Sequence, residues 1–187
     1  HCKVMRSLLP KNEIGKFRQH PVVVNDPRLR TIAYVPPDYQ EVDVRIHELL
    51  DYVIQNAGEI HPILLAGIFH KQCVLIHPFM DGNGRTTRLL TKMLLARMGL
   101  NTFHLFSFEN YYNANISRYF QMVGEIGNYY DIASSIDFTR WLEYFTDGLI
   151  DELLRVQKLL PQIKVGSSLS LQPHDVVILE HVKKFGS

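Results

Sequence analysis

The sequence predicts an all-α helical bundle carrying one small β-hairpin. Three observations lead to that expectation. Apolar residues recur at three- and four-residue steps in several segments after residue 41, which is the spacing of one helix face. Two short β-branched runs, Val22–Val24 and Thr31–Val35, are separated by Asn25-Asp26-Pro27, a turn-forming triplet. A length of 187 residues suits about one domain, one that buries about 70% of its unfolded surface and needs no disulfide or metal to fold.

The elements follow in order. Val4, Leu8 and Leu9 mark residues 2–9 as the end of a helix, stopped by Pro10, which cannot continue it. The two β-branched runs form the hairpin, and Pro36-Pro37 ends it. Val42, Ile46, Leu49, Leu50 and Val53 then trace a helix that Gly58 closes. His61-Pro62 opens another, with Ile63, Leu64, Gly67 and Ile68 making it apolar on nearly every side; such a helix is central and buried. Pro78 ends it, and Pro78–Gly84 is a loop. Arg85 to Met98 is helical, with Leu89, Leu90, Met93 and Leu94 as its expected core face and Gly99 just past its end. Tyr111 to Val123 reads as one helix, and Phe138 to Leu160 as a long one striped by Trp141, Leu142, Phe145, Leu149, Leu153 and Val156. Pro161–Pro173 is a Ser- and Gly-containing linker, after which Val176, Val177, Leu179 and Val182 begin one more helix.

Composition narrows the classes. Hydrophobic residues are 46% and charged residues 21% of the chain, which excludes a disordered, collagen-like or coiled-coil protein. The net charge of +1 gives no long nucleic-acid stripe. Two cysteines, Cys2 and Cys73, make no disulfide framework and fit a reducing, cytoplasmic setting. No apolar run is long enough for a transmembrane span, and no signal peptide is visible. The chain does not begin with Met and stops soon after a helical pattern has started, so both ends read as boundaries within a longer protein.

The chemistry is concentrated in His77-Pro78-Phe79-Met80-Asp81-Gly82-Asn83-Gly84-Arg85-Thr86-Thr87-Arg88. A buried helix ends, a Gly-rich loop follows, and a new helix starts near Arg85. The N–H groups of that loop sit at a helix N-terminus, where roughly half a positive charge resides. Gly82 and Gly84 allow a backbone nest that approaches an anion closely. Arg85 and Arg88 are disfavoured so early in a helix and make sense with an anion above them. Asp81 can hold Mg²⁺, which binds through one or two carboxylates plus substrate phosphates. His77 can act as a base near neutrality. The spacing is not that of a P-loop, which has four residues between its glycines and follows a strand.

This segment resembles the Fic-family signature, His-x-Phe-x-Asp/Glu-Gly-Asn-Gly-Arg-x-x-Arg, at every defined position. Gly15-Lys16-Phe17-Arg18, Tyr34-Val35-Pro36-Pro37 and His61-Pro62 with His70 look like upstream landmarks of the family, and Arg118-Tyr119-Phe120 resembles a downstream one. The resemblance implies a Fic-fold helical bundle over residues 1–162, with residues 163–187 as a linker and the start of a winged-helix domain.

The resemblance also implies an activity: transfer of AMP from ATP to a Ser, Thr or Tyr hydroxyl of a target protein. His77 would deprotonate that hydroxyl and Asp81 would bind Mg²⁺. Asn83 and the N–H groups of Gly82 and Gly84 would hold phosphates, Arg85 and Arg88 would pair with the β- and γ-phosphates, and Phe79 would anchor the loop. The hairpin segment Thr31, Ile32, Ala33 and Tyr34 would be a flap that docks the target by strand addition. Tyr111, Tyr112 and Tyr119 are candidates for adenine or ribose contacts, and Tyr129-Tyr130 for self-modification. Homodimers occur in the family, and DNA would be a partner only if the C-terminal region continues as a winged helix. Two competing readings stand beside this one: a DNA-binding regulator or nucleotide sensor on a Fic scaffold, and an enzyme that removes AMP. Removal needs an inhibitory Ser/Thr-x-x-x-Glu motif, which is not found in residues 1–14, so the regulatory class stays open. The family's phosphotransferase branch replaces the second motif glycine with Lys; Gly84 is present here.

Overall fold

In the computed structural model of the chain, residues 1–25, 31–100 and 107–159 are described. The expected all-α architecture with a small β flap is what they form. The elements are α1 (Cys2–Met5), β1 (Val24–Asn25), β2 (Ile32–Val35), α2 (Val42–Gln55), α3 (Pro62–Ile76), α4 (Asn83–Arg97), α5 (Phe108–Ala114), α6 (Ile116–Val123), β3 (Gly127–Asn128), α7 (Tyr129–Ile132) and α8 (Thr139–Leu159). The hairpin turn at 26–30 and the expected linker and helix at 163–187 lie outside the described residues.

Helix α3 is the central element, as its all-round apolarity predicts. His61 caps it by accepting from Ile63 N, Pro62 supplies its first residue, and Leu65, Ala66, Phe69, Leu75 and Ile76 are buried. On one side α3 meets α2 through Val42, Leu49, Val53, Leu65 and Phe69. On the other it meets α8, where the buried side chains are Trp141, Phe145 and Leu149. A Cβ on Gly67 would stand 2.7 Å from Leu142 Cδ2, so glycine lets α3 and α8 approach closely. At that same point Trp141 Nε1 donates to the Gly67 carbonyl at 2.7 Å.

Helix α4 presents only part of the expected leucine face, with Leu94 packed against the core. Leu90 and Met93 are 37% and 48% exposed, while Thr86, Thr87, Thr91 and Leu95 are buried. The helix is rotated because α3 offers polar partners. Thr87 Oγ1 donates to Cys73 Sγ at 3.3 Å, and Thr91 Oγ1 lies 3.0 Å from His70 Nδ1. The helix expected over Tyr111–Val123 is broken at Asn115, which has φ −148 and accepts from Arg118 N at 3.0 Å. Asn competes for backbone hydrogen bonds, so it starts a new helix rather than continuing the old one.

The flap is three-stranded rather than a bare hairpin. β1 pairs with β2 antiparallel, and β3 adds to the other edge in parallel register, Tyr34 opposite Gly127 and Val35 opposite Asn128. Tyr34 is 3% exposed and donates its hydroxyl to the Leu75 carbonyl at 3.0 Å. That bond ties the flap to the end of α3. Buried Lys71 ties α3 to the end of α6 through Glu125 at 2.6 Å and the Met122 carbonyl at 3.2 Å. Among the described residues, no helix is long and apolar enough to cross a membrane.

Candidate active site

His77 ends α3 in a left-handed conformation, φ 53 and ψ 59, and is the only non-glycine described residue with positive φ. Pro78 bars continuation of the helix, and the left-handed turn swings the chain into the loop. Such a conformation costs about 1–3 kcal/mol and persists only where its surroundings enforce it. Arg18 is the main enforcer. It is 3% exposed, and its Nε donates to the His77 carbonyl at 2.9 Å. Its other nitrogens donate to the carbonyls of His20, Pro37 and Ile76. Its own N–H donates to the Pro78 carbonyl at 2.9 Å. A single buried guanidinium thus joins the C-terminus of α3, the loop and the end of β2.

The loop closes on itself through Asn83. Its Nδ2 donates to the Phe79 carbonyl and its Oδ1 accepts from Phe79 N, both at 2.8 Å. Asn83 is 5% exposed. Each end of the amide thus makes one bond within the loop, which fixes the loop's shape. Phe79 is buried, stacked on the His1 ring at 4.0 Å and against Phe17 at 5.7 Å. His1 Nδ1 accepts from Gly15 N at 2.8 Å, so its Nε2 carries the proton and donates to the Asp81 carbonyl at 3.1 Å.

Gly82 caps α4 with φ 80, and a Cβ there would stand 2.5 Å from Met5 Sδ. Gly84 is different from the expected nest residue. It is an ordinary helical residue, and a Cβ on it would meet Arg88 Nη1 at 3.2 Å. Its absent side chain makes room for that guanidinium. Because the N-cap is a glycine with no side-chain acceptor, the first-turn N–H groups of α4 have no helical partner. Gly84→Ala is expected to favour the helix by up to about 1 kcal/mol yet weaken binding of a triphosphate, because Cβ displaces Arg88. Thermal unfolding and calorimetry with ATP would check the two opposite signs.

The charges are distributed unequally. Arg85 is 41% exposed and pairs with Asp81 Oδ2 at 3.1 Å, while Asp81 Oδ1 accepts from Gly82 N. Arg88 is 20% exposed, with its Nε 3.5 Å from Glu109 Oε1. Lys92 donates to Glu109 Oε2 at 2.8 Å and Ser107 Oγ donates to it at 3.1 Å. Burial works to raise the Glu109 carboxyl, and these donors outweigh it, so its pKa lies below the ordinary value. Sequence reasoning missed Glu109, Lys92 and Ser107, because nothing local relates residue 109 to α4.

Burial lowers the His77 pKa from 6.5, with the Val74 carbonyl opposing that shift. The ring lies 3.3 Å from that carbonyl through Nδ1. A carbonyl can only accept, so Nδ1 carries the proton and Nε2 keeps a lone pair. His70 is fully buried, and burial pushes it down to about 3. The sign for stability follows. As pH falls from 6.5, the unfolded chain takes up protons that the native imidazoles refuse, so stability present above pH 6.5 is lost towards acid. Urea unfolding is expected to show about 2 kcal/mol less stability at pH 5.0 than at pH 7.5 from His70. An equal or higher midpoint at pH 5.0 would contradict this.

Of the three tyrosines expected to contact the nucleotide, Tyr112 and Tyr119 are buried and Tyr111 is partly exposed. Tyr112 and Tyr119 are each 2% exposed in an aromatic core with Trp141, Tyr144 and Phe145. Tyr111 is partly buried and packs so close to α8 that a Cβ on Gly148 would stand 2.5 Å from its ring. In the flap, Ile32 is 59% exposed while Tyr34 is buried. Tyr129 is 7% exposed, its hydroxyl accepting from Arg45 at 2.9 Å. The Tyr130 hydroxyl donates to Glu41 at 2.7 Å and accepts from Asp38 N at 2.9 Å.

The family model for the Fic/DOC family matches residues 1–95. The chain belongs to the Fic/DOC family. Proteins named protein adenylyltransferase Fic from Nematostella vectensis and Drosophila willistoni are 39% and 38% identical to it over 88 residues, 46% of this chain. Those stretches are only 19% and 16% of the relatives' own lengths. Among solved structures, a Fic family protein from Desulfovibrio desulfuricans G20 superposes with a TM-score of 0.69 at 24% identity, covering 90% of this chain and 47% of that one. A Fic domain containing signaling protein from Bacteroides thetaiotaomicron gives 0.63 at 22% identity, covering 83% and 59%. These structural likenesses establish the Fic fold, and the loop after α3 is the Fic motif on that fold.

Proposed function

We propose that this Fic domain transfers AMP from ATP to a hydroxyl group of a protein target. The observation that carries the reading is the state of His77: a neutral imidazole, proton held on Nδ1 by Val74, at the entry to a loop ending in uncapped N–H groups beside Arg88. In the reaction, Nε2 takes the proton of the target hydroxyl and the freed oxygen attacks the α-phosphorus. The bond to the β-phosphate oxygen breaks and pyrophosphate leaves. The α4 N-terminus and Arg88 offset the charge that develops on the phosphates. Arg85 joins them by releasing Asp81.

The donor set fits Mg²⁺ better than a metal held by protein alone. Asp81 is a 60% exposed carboxylate beside the cradle. Among the described residues no group of three or more His, Cys, Asp or Glu gathers to hold a metal. One carboxylate with most ligands from phosphate and water is how Mg²⁺ binds; Asp81 would hold it, and it would neutralise phosphate charge. The free thiols Cys2 and Cys73 support a reducing, cytoplasmic setting.

The test uses ATP labelled at different phosphates. Label on the α-phosphate is expected to enter protein, and label on the γ-phosphate is not. Transfer of the γ-label instead would make the enzyme a kinase and overturn the reading.

A further inference from the structure

Helix α1 meets the motif loop through two residues one turn apart. His1, its N-cap, has both ring nitrogens occupied: Nδ1 accepts from Gly15 N at 2.8 Å, and Nε2 lies 3.1 Å from the Asp81 carbonyl. A backbone amide only donates and a carbonyl only accepts, so these two partners dictate the neutral tautomer with its proton on Nε2. The ring is also stacked on Phe79 at 4.0 Å, with an interplanar angle of 11°. Met5 is fully buried and packs over Gly82, where a Cβ would stand 2.5 Å from its Sδ. The Asp81–Gly82 peptide is thus held from both ends by α1.

That peptide is the part of the loop its own backbone determines least. Gly82 has φ 80 and ψ 9, and glycine takes positive and negative φ about equally. Its conformation alone therefore does not settle which way the preceding peptide faces. A peptide is planar, with C=O and N–H on opposite edges. With the carbonyl gripped by His1, the Gly82 N–H must point the other way. There it donates to Asp81 Oδ1, while Oδ2 of the same carboxylate pairs with Arg85 at 3.1 Å. That is the side of the loop where the proposed cradle lies. Were the plane turned over, a carbonyl oxygen would replace the N–H, and an acceptor would meet the phosphates.

We infer that His1 is a positioning residue for nucleotide binding: by holding the Asp81 carbonyl it sets the Asp81–Gly82 peptide so that the Gly82 N–H faces the phosphates of ATP. This rests on the proposed reading of the loop as a triphosphate cradle. The other residues that grip the loop act elsewhere on it. Arg18 holds its entry through the carbonyls of His77 and Pro78, and Asn83 closes it on Phe79. Among the described residues, the bond to the Asp81 carbonyl comes from His1 alone.

The test separates the ring from the bond, on the full chain with ATP and Mg²⁺. His1→Phe keeps an aromatic ring against Phe79 and loses the N–H. His1→Gln gives up the ring and keeps an N–H at the reach of Nε2. His1→Phe is expected to raise the Kd for ATP about three- to tenfold, the worth of one hydrogen bond. It is also expected to move the Gly82 amide signal in nitrogen-15 spectra of the ligand-free protein. His1→Gln is expected to keep the Kd within about twofold and the Gly82 signal near its wild-type position. Circular dichroism spectra of both are expected to match the wild type, since His1 is only half-buried. An unmoved Gly82 amide or unchanged ATP affinity in His1→Phe, or equal weakening in both variants, would overturn the inference while Arg88→Ala still weakens ATP. Should His1→Phe fail to fold, a displaced Gly82 amide and weakened ATP binding in His1→Gln would overturn it as well. Failure of the wild type to bind ATP, with Arg88→Ala indistinguishable from it, would instead overturn the cradle reading and take this inference with it.

Discussion

Alanine at position 77 is expected to abolish AMP transfer while leaving ATP binding nearly intact. The imidazole touches no residue of the α4 phosphate cradle; its bonds run to Val74 through the ring and to Cys73 and Arg18 through the backbone. Only the proton acceptor is lost. A positioned general base contributes about 10²–10⁴ in rate; His70 is fully buried, and the His1 ring is engaged by Gly15 N and the Asp81 carbonyl. Because burial lowers the pKa of His77 below 6.5, the acid limb of the wild-type rate profile is expected below that pH. Labelling that persists in His77→Ala would remove His77 as the base.

The second large effect belongs to a residue outside the motif. Arg18→Leu is expected to cost about 3–5 kcal/mol, since buried carbonyls lose a charged donor and each such loss costs about 1–3 kcal/mol. The carbonyls concerned are those of His77, Ile76, His20 and Pro37. Their release frees the left-handed turn at His77, so activity per folded molecule should fall together with the urea midpoint. Arg18→Lys should recover little, because one ammonium cannot span partners arranged around a planar fork. A lysine variant as stable and active as the wild type would show that charge alone matters there.

Much of the site could be read locally. His77 to Arg88 is contiguous, and its parts act through backbone turns a few residues long. Gly82 with positive φ and the start of α4 beside it follow from that order. What misled the reading was reach. Asn83 reads as a phosphate ligand, while its amide closing on Phe79 is invisible in the sequence. Tyr112 and Tyr119 look like candidates for a base platform until α8 covers them. Leu90 and Met93 look like a core face until the threonines opposite Cys73 and His70 turn the helix. In each case a side chain was assigned by its type, and a partner distant in sequence decided its direction.

The sequence alone determined the helical class, the central place of α3, the flap and the loop that carries the chemistry. Periodicity, Pro and Gly placement and helix-end electrostatics are local, so they are written in neighbouring residues. Only the tertiary structure decided which groups hold that loop in shape. Arg18 reaches across 59 positions to the His77 carbonyl, and His70 across 49 to Tyr119. Such bonds form because burial leaves polar atoms no water to turn to, and their partners are whichever groups packing brings within hydrogen-bond distance.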